Sequence, residues 1–297
     1  MRNYLKFLIR LLITTVLIFF LFQKLNFSEF YQALKKSNLI YIVFASFLYL
    51  LSSYISTLRW KIFISSSKIK ISELFSLYLI GSFFNITLPG IVSGDIVKIL
   101  MIRDKVNLRE AIFSIFMDRY IGFSVLLFVG FIFFLIFYPK LPKSWILWSV
   151  PISFLGFILF SLFLYILVNF RFLKEFRSLL GCLKKNQIFI TLILSLFIQF
   201  CVIFSVYVVT KSINLELSFF KIAIFLPVII LITTLPISIS GVGVREWCFL
   251  LFFEKFIPPE KAMATSVLWF ASVVFASLIG GFEYLRLKKK SLNIEQK

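Results

Sequence analysis

Apolar residues run along this chain in long blocks, roughly 5–22, 39–57, 72–92, 111–137, 145–169, 188–210, 219–239, 242–253 and 262–285, with short polar segments between them. Several of these blocks reach the ~20 residues that a helix rising 1.5 Å per residue needs to cross ~30 Å of hydrocarbon. No polar stretch is long enough to fold by itself. The pattern predicts an all-α polytopic membrane protein, one integral domain over 1–297.

Two blocks are interrupted by the same motif. Thr87-Leu88-Pro89-Gly90-Ile91-Val92-Ser93-Gly94 and Thr234-Leu235-Pro236-Ile237-Ser238-Ile239-Ser240-Gly241 both read T-L-P-x-x-x-S-G, 147 positions apart. Pro and Gly at this density break a helix, and lipid tolerates broken backbone only where protein or a wet cavity covers it. Each motif is therefore expected at the tip of a re-entrant hairpin, leaving about six full spans. The Lys and Arg residues then divide into 21 on one side (for example Arg59, Lys98, Arg103, Lys184 and Lys288) and 9 on the other (for example Lys24, Lys35, Lys140 and Lys261). The richer side marks the cytoplasm, with both termini there, in a cytoplasmic (inner) membrane. On this count the first hairpin enters from inside and the second from outside. The same motif in opposite orientations describes an inverted repeat, with halves near 39–137 and 188–285, and such broken pairs commonly locate a transporter's site. A model in which both hairpins cross fully gives about eight spans and the same termini.

Composition agrees with a membrane chain: 61% hydrophobic, 15% charged and mean hydropathy +1.01, against about 45–50% and 25% in soluble domains. The net charge of +19 lies in short segments between apolar blocks, so it argues for membrane orientation and against nucleic-acid binding. There is no His, which removes the commonest general base and metal ligand together. Cys182, Cys201 and Cys248 are far apart, so neither a disulfide framework nor a zinc site is expected, and no cofactor is implied. The segment through Phe22 resembles the charged and apolar regions of a signal peptide, yet no small-x-small cleavage site follows, so it reads as a retained first span.

Candidate chemistry gathers at the two motifs. Ser93 and Ser240 are expected as N-caps of short helices whose free N–H groups and partial positive charge attract an anion such as a phosphate. Gly94, Gly241 and Gly243 would let a headgroup approach the backbone. Asp95 and Lys98 share a helix face three residues apart, and Arg245 and Glu246 hold the matching place in the second copy. Asp118 and Arg119 lie well inside an apolar block, where a charge costs roughly 2.5–3.5 kcal/mol on insertion scales and so needs a partner or a wet cavity. Together these read as a balanced polar core of three acids and three bases. Arg59-Trp60 reads as an interfacial snorkelling pair, Pro258-Pro259-Glu260 as a helix start, and Glu283 as an interfacial group.

The ordered set Asn85-x-x-Leu88-Pro89-x-x-x-x-Gly94-Asp95-x-x-Lys98, Asp118-Arg119-x-x-Gly122 and Leu235-Pro236-x-x-x-x-Gly241-x-Gly243-x-Arg245-Glu246 resembles the flippase-like membrane domain of lysylphosphatidylglycerol synthases and its stand-alone relatives. The resemblance covers nearly the whole chain. Lys98 stands where that family often has Arg, which weakens a bidentate phosphate contact. Those synthases carry further spans and a soluble aminoacyl-transfer domain; with the sequence ending at Lys297, aminoacylation is not expected. The resemblance implies translocation of an anionic phospholipid or a polyprenyl-phosphate-linked sugar rather than an enzyme. The alternatives are a membrane-embedded transferase acting on lipid-linked substrates and a non-catalytic membrane subunit.

Overall fold

In a computed structural model of the chain, residues 2–64, 69–88, 93–169, 178, 179, 181, 183–238 and 240–295 are described. Pro89, with Gly90, Ile91 and Val92 of the first motif, and Cys182 lie outside the described residues. The chain forms α1 (Arg2–Lys24), α2 (Phe27–Lys35), α3 (Leu39–Ile62), α4 (Ile71–Thr87), α5 (Ser93–Ile102), α6 (Leu108–Phe137), α7 (Ser149–Asn169), α8 (Lys185–Ser212), α9 (Phe219–Thr233), α10 (Val244–Phe253) and α11 (Pro259–Glu295). Short 3-10 turns at Tyr138–Lys140 and Trp145–Trp148 join α6 to α7. The expected all-α membrane architecture is what forms.

Among the described residues, five helices are long and apolar enough to cross a membrane: Leu39–Ile62, Leu108–Lys140, Trp145–Leu167, Lys185–Ser212 and Pro259–Lys289. The broken blocks form shorter legs, 17 and 10 residues in α4 and α5, 15 and 10 in α9 and α10. Residues 27–35 lie between the first two apolar blocks. They fold as the amphipathic α2, because Asn26 caps it through Oδ1 (3.1 Å from Ser28 N) and Phe30 reaches the core. The expected start of the last helix at Pro259 is borne out; the Glu260 side chain accepts the Asn26 N–H (3.1 Å) and ties this end to α2.

The long helices pack by neighbour. α3 lies along α8, α4 along α11 and α6 along α9, while α3 also touches α11, and α6 touches α8. The α3–α8 pair is antiparallel: Asn38 N–H bonds to the Ser212 carbonyl (2.9 Å) at one end, and Arg59 reaches Ser195 (2.8 Å) towards the other. α7 stands outside the bundle, with only 6% of its most apolar stretch buried. Exchanging α3 with α8, α4 with α9, α5 with α10 and α6 with α11 reproduces the packing of these eight helices.

Side chains repeat the exchange. The Ser272 carbonyl of α11 accepts from Ser46 of α3 (2.9 Å), and the Gly122 carbonyl of α6 accepts from Gln199 of α8 (3.0 Å). Gly280 of α11 lies so close to α4 that a Cβ there would stand 2.0 Å from the Leu79 carbonyl oxygen. Gly130 of α6 meets the ring of Pro227 in α9 in the same manner, at 2.8 Å. Without a water-driven hydrophobic force between spans, such small-residue contacts bring helices close enough for dispersion to hold them.

Candidate functional site

The backbone break in each hairpin decides how its second leg begins, and the two legs begin differently. Ser93 is the first residue of α5, and its hydroxyl donates to the Phe84 carbonyl of α4 (2.8 Å). The N–H of Gly94 is held by the Asn85 side-chain oxygen (2.9 Å). A Cβ on Gly94 would fall 1.8 Å from the Gly81 carbonyl oxygen, so Gly94 serves the contact between the legs of the first hairpin. The expected Ser93 cap is thus replaced by Asn85, a residue that reaches the helix start from across the hairpin.

In the second hairpin Ser240 is not a cap either. It has φ of +51°, followed by Gly241 at +77° and Gly243 at +83°, and α10 starts only at Val244 with Gly243 as its cap residue. Left-handed backbone is cheap for glycine but unusual for serine, so this turn is held by its surroundings. The Glu246 carboxylate accepts the Gly243 N–H (2.7 Å), as an acid three residues into a helix often does. Gly243 itself faces α1, where a Cβ would stand 3.2 Å from that of Leu17. Of Gly94, Gly241 and Gly243, Gly241 is the one beside open space; an added Cβ there would meet Thr233 only at 3.6 Å.

That space is a cavity of about 260 Å3, lined by Asn85 of the first hairpin, Thr233, Ser240, Gly241 and Arg245 of the second and Arg119 of α6, with Tyr49, Trp269 and Phe270 among its aromatic walls. The Ser240 hydroxyl stands 3.4 Å from the backbone oxygens of both Asn85 and Ile86. The turn of the second motif therefore meets the end of α4 just before the first motif. Pro236 is exposed and, like Ser93, Gly94, Asp95, Lys98, Asp118, Gly243 and Glu246, is not among the lining residues.

Every charge singled out in the sequence is paired. Arg59 donates through Nε to Asp118 Oδ1 (2.8 Å) and through Nη1 to Ser195 (2.8 Å). Asp95 serves two bases, Lys98 at 2.7 Å and Arg119 at 2.9 Å. Arg245 donates to Glu246 through Nη2 (2.7 Å) and Nε (3.1 Å), touches Ser266 (3.2 Å), and lies 3.9 Å from the centre of the Phe270 ring. Lys98 lies 4.6 Å from the Tyr78 ring centre and 5.5 Å from that of Trp60. Cations on aromatic faces are stabilised by the ring quadrupole, most of all where water is excluded.

Two expectations are corrected here. Arg59 and Trp60 are 4% and 1% exposed, so they form no snorkelling pair; Trp60 Nε1 donates to Ser114 (3.0 Å) in the interior. Arg59 also turns the expected balance of three acids and three bases into three acids and four bases. The sequence signal that marks it is the row Ser52, Ser53, Ser56 and Thr57, small polar residues on the buried face of the same helix. Arg59 and Lys98 both leave the interfacial charge count, being buried. Glu283 accepts from Ser76 (2.9 Å) and pairs with Arg286 (3.3 Å), joining α11 to α4.

Residues 7–281 match the family model described as the lysylphosphatidylglycerol synthase TM region. The chain belongs to that family. No curated protein and no solved structure matches it. As a lysylphosphatidylglycerol synthase TM region, the chain is an integral multi-pass membrane domain of a lipid-handling family, corresponding to the membrane part of such synthases and not to their aminoacyl-transfer part. Among the described residues, no group of three or more His, Cys, Asp or Glu side chains is arranged to hold a metal ion.

Proposed function

We propose that this protein translocates an anionic lipid, a phospholipid or a polyprenyl-phosphate-linked sugar, across the cytoplasmic (inner) membrane. The headgroup phosphate binds in the cavity where the two hairpins meet. The observation that carries this reading is the convergence itself: Ser240 against Asn85 and Ile86, with Arg119 and Arg245 lining the same 260 Å3 space. A cavity lined by the guanidinium-bearing Arg119 and Arg245 together with Thr233, Thr234 and Ser240 is chemically suited to an oxyanion.

The exchange of neighbours between α3–α6 and α8–α11, together with the antiparallel α3 and α8, supports an inverted repeat of 39–137 and 188–285 whose hairpins enter from opposite faces. Transport then alternates access about the axis relating the halves. The bias of Lys and Arg towards one face supports cytoplasmic termini.

Reconstitution into liposomes with tail-labelled fluorescent anionic lipid tests the reading. Wild-type protein should accelerate loss of label protection well above protein-free vesicles, and Arg245→Ala should fall back towards the protein-free rate. Arg245→Ala moving lipid as fast as wild type refutes the assignment.

A further inference from the structure

Among the described residues, the charges on α3, α5, α6 and α10 that surround the two hairpins do not cancel; Glu260, also buried, lies apart at the start of α11 and takes the Asn26 N–H. Asp118 matches Arg59 and Glu246 matches Arg245, one to one, whereas Asp95 alone serves Lys98 and Arg119. One positive charge is left over. The Arg119 side chain is 39% exposed while the six other charged side chains are between 5% and 9% exposed. Arg119 is also the member of the Asp95 cluster that lines the cavity, so the surplus faces the cavity.

Arg245 lines the cavity too, but its charge is already answered. One Glu246 oxygen takes Nη2 at 2.7 Å, Nε at 3.1 Å and the Ser266 hydroxyl at 3.2 Å, and the other takes the Gly243 N–H at 2.7 Å. A guanidinium and a helix-start N–H are the groups that an incoming phosphate would use. Glu246 therefore stands as a built-in anion on half of the binding apparatus. A ligand meets a cavity with capacity for one negative charge, and a second, lacking a counter-charge at this depth, is disfavoured as any unpaired charge in hydrocarbon is.

Resting on the lipid-transport reading above, we infer that Glu246 sets the accepted headgroup charge at one. The site takes a lipid phosphodiester and discriminates against phosphomonoesters, which carry about −1.5 to −2 at neutral pH, and against diphosphate diesters, which carry two charges. A phosphodiester is common to glycerophospholipids and to polyprenyl-phosphate sugars, and both belong in the test.

The experiment compares four tail-labelled lipids in proteoliposomes of the full chain: phosphatidylglycerol against phosphatidic acid, and a polyprenyl-phosphate sugar against its diphosphate counterpart. In at least one pair, wild type should move the phosphodiester about tenfold faster or more than its more highly charged partner. The pair in which this holds identifies the lipid source. Glu246→Gln keeps an acceptor for the Gly243 N–H but gives up the charge, and should narrow the ratio to about threefold or less.

Wild type moving phosphatidic acid as fast as phosphatidylglycerol, with no preference in the polyprenyl pair, overturns the inference. An unchanged ratio in a monodisperse Glu246→Gln protein overturns the role of Glu246. Should that variant not fold, the wild-type ratios decide together with Arg119→Gln, which removes the surplus charge and should abolish phosphodiester movement; undiminished movement counts against the inference. Failure of all four lipids to move with wild type overturns the transport reading itself, a result distinct from loss of selectivity.

Discussion

The Ser240 hydroxyl stands 3.4 Å from the Asn85 carbonyl oxygen, joining residues 155 positions apart. Asn85 has a second task, since its side chain holds the N–H that starts α5. One residue thus closes the first hairpin and borders the cavity shared with the second. Asn85→Ala should uncap α5 and destabilise the protein by about 0.5–2 kcal/mol, the range for losing a helix cap. Thermal unfolding in detergent checks this, with Ser28→Ala, whose side chain is exposed on α2, as an unaffected control.

Asp118→Ala should be more damaging. Arg59 and Asp118 side chains are each 5% exposed and 2.8 Å apart. Removing one partner leaves a charge buried without compensation, which costs about 3–5 kcal/mol. A large fall in unfolding midpoint is expected for Asp118→Ala, and a smaller one when Arg59 and Asp118 are both replaced by apolar residues of similar volume. A double change as damaging as the single one would contradict this account.

Glycine positions separate by what lies in front of them. Gly94→Ala and Gly280→Ala would drive a methyl into the Gly81 and Leu79 carbonyls, at 1.8 Å and 2.0 Å before relaxation. Helices must then part, at about 1–3 kcal/mol or more each. Gly156 of α7 has nothing within 4 Å, and Gly156→Ala should leave stability unchanged or raise it slightly through helix propensity. Unfolding midpoints of the three variants, measured side by side, test the order.

Gly241→Ala differs again. The nearest atoms to an added Cβ are 3.6 Å away, so there is room, but φ of +77° is left-handed. The expected cost is about 1–2 kcal/mol of backbone strain without a clash. Because Gly241 lines the cavity, lipid movement in proteoliposomes should slow by more than the loss of folded protein accounts for. Movement that tracks folded protein alone would limit Gly241 to the turn.

The Glu73–Lys105 pair spans α4 and the turn after α5 and is partly exposed. Exposed pairs contribute about 0–1 kcal/mol and weaken with salt. Lys105→Ala should therefore change stability little, and any change should shrink at high ionic strength.

The sequence by itself determined the apolar helices, the two breaks and the inventory of charges. Hydrocarbon thickness sets how long an apolar run must be, and Pro and Gly act within their own turn, so Leu39–Ile62 and the interruptions after Thr87 and Thr233 are local facts. Which charge meets which was only partly local: Lys98 pairs with Asp95 three residues away and Arg245 with its neighbour Glu246, but the other pairs cross the fold. Arg119 sits next to Asp118 in the chain but pairs with Asp95, and Asp118 turns to Arg59, 59 positions away. Asp118 and Arg119 leave α6 in different directions, and only the packing of α3, α5 and α6 chooses their partners. The glycines tell the same story: Gly94 and Gly241 close the two copies of the motif and Gly243 follows the second, yet Gly94 admits α4, Gly243 faces α1 and Gly241 borders the cavity. A missing side chain grants room to whatever lies opposite, and what lies opposite is decided by the fold.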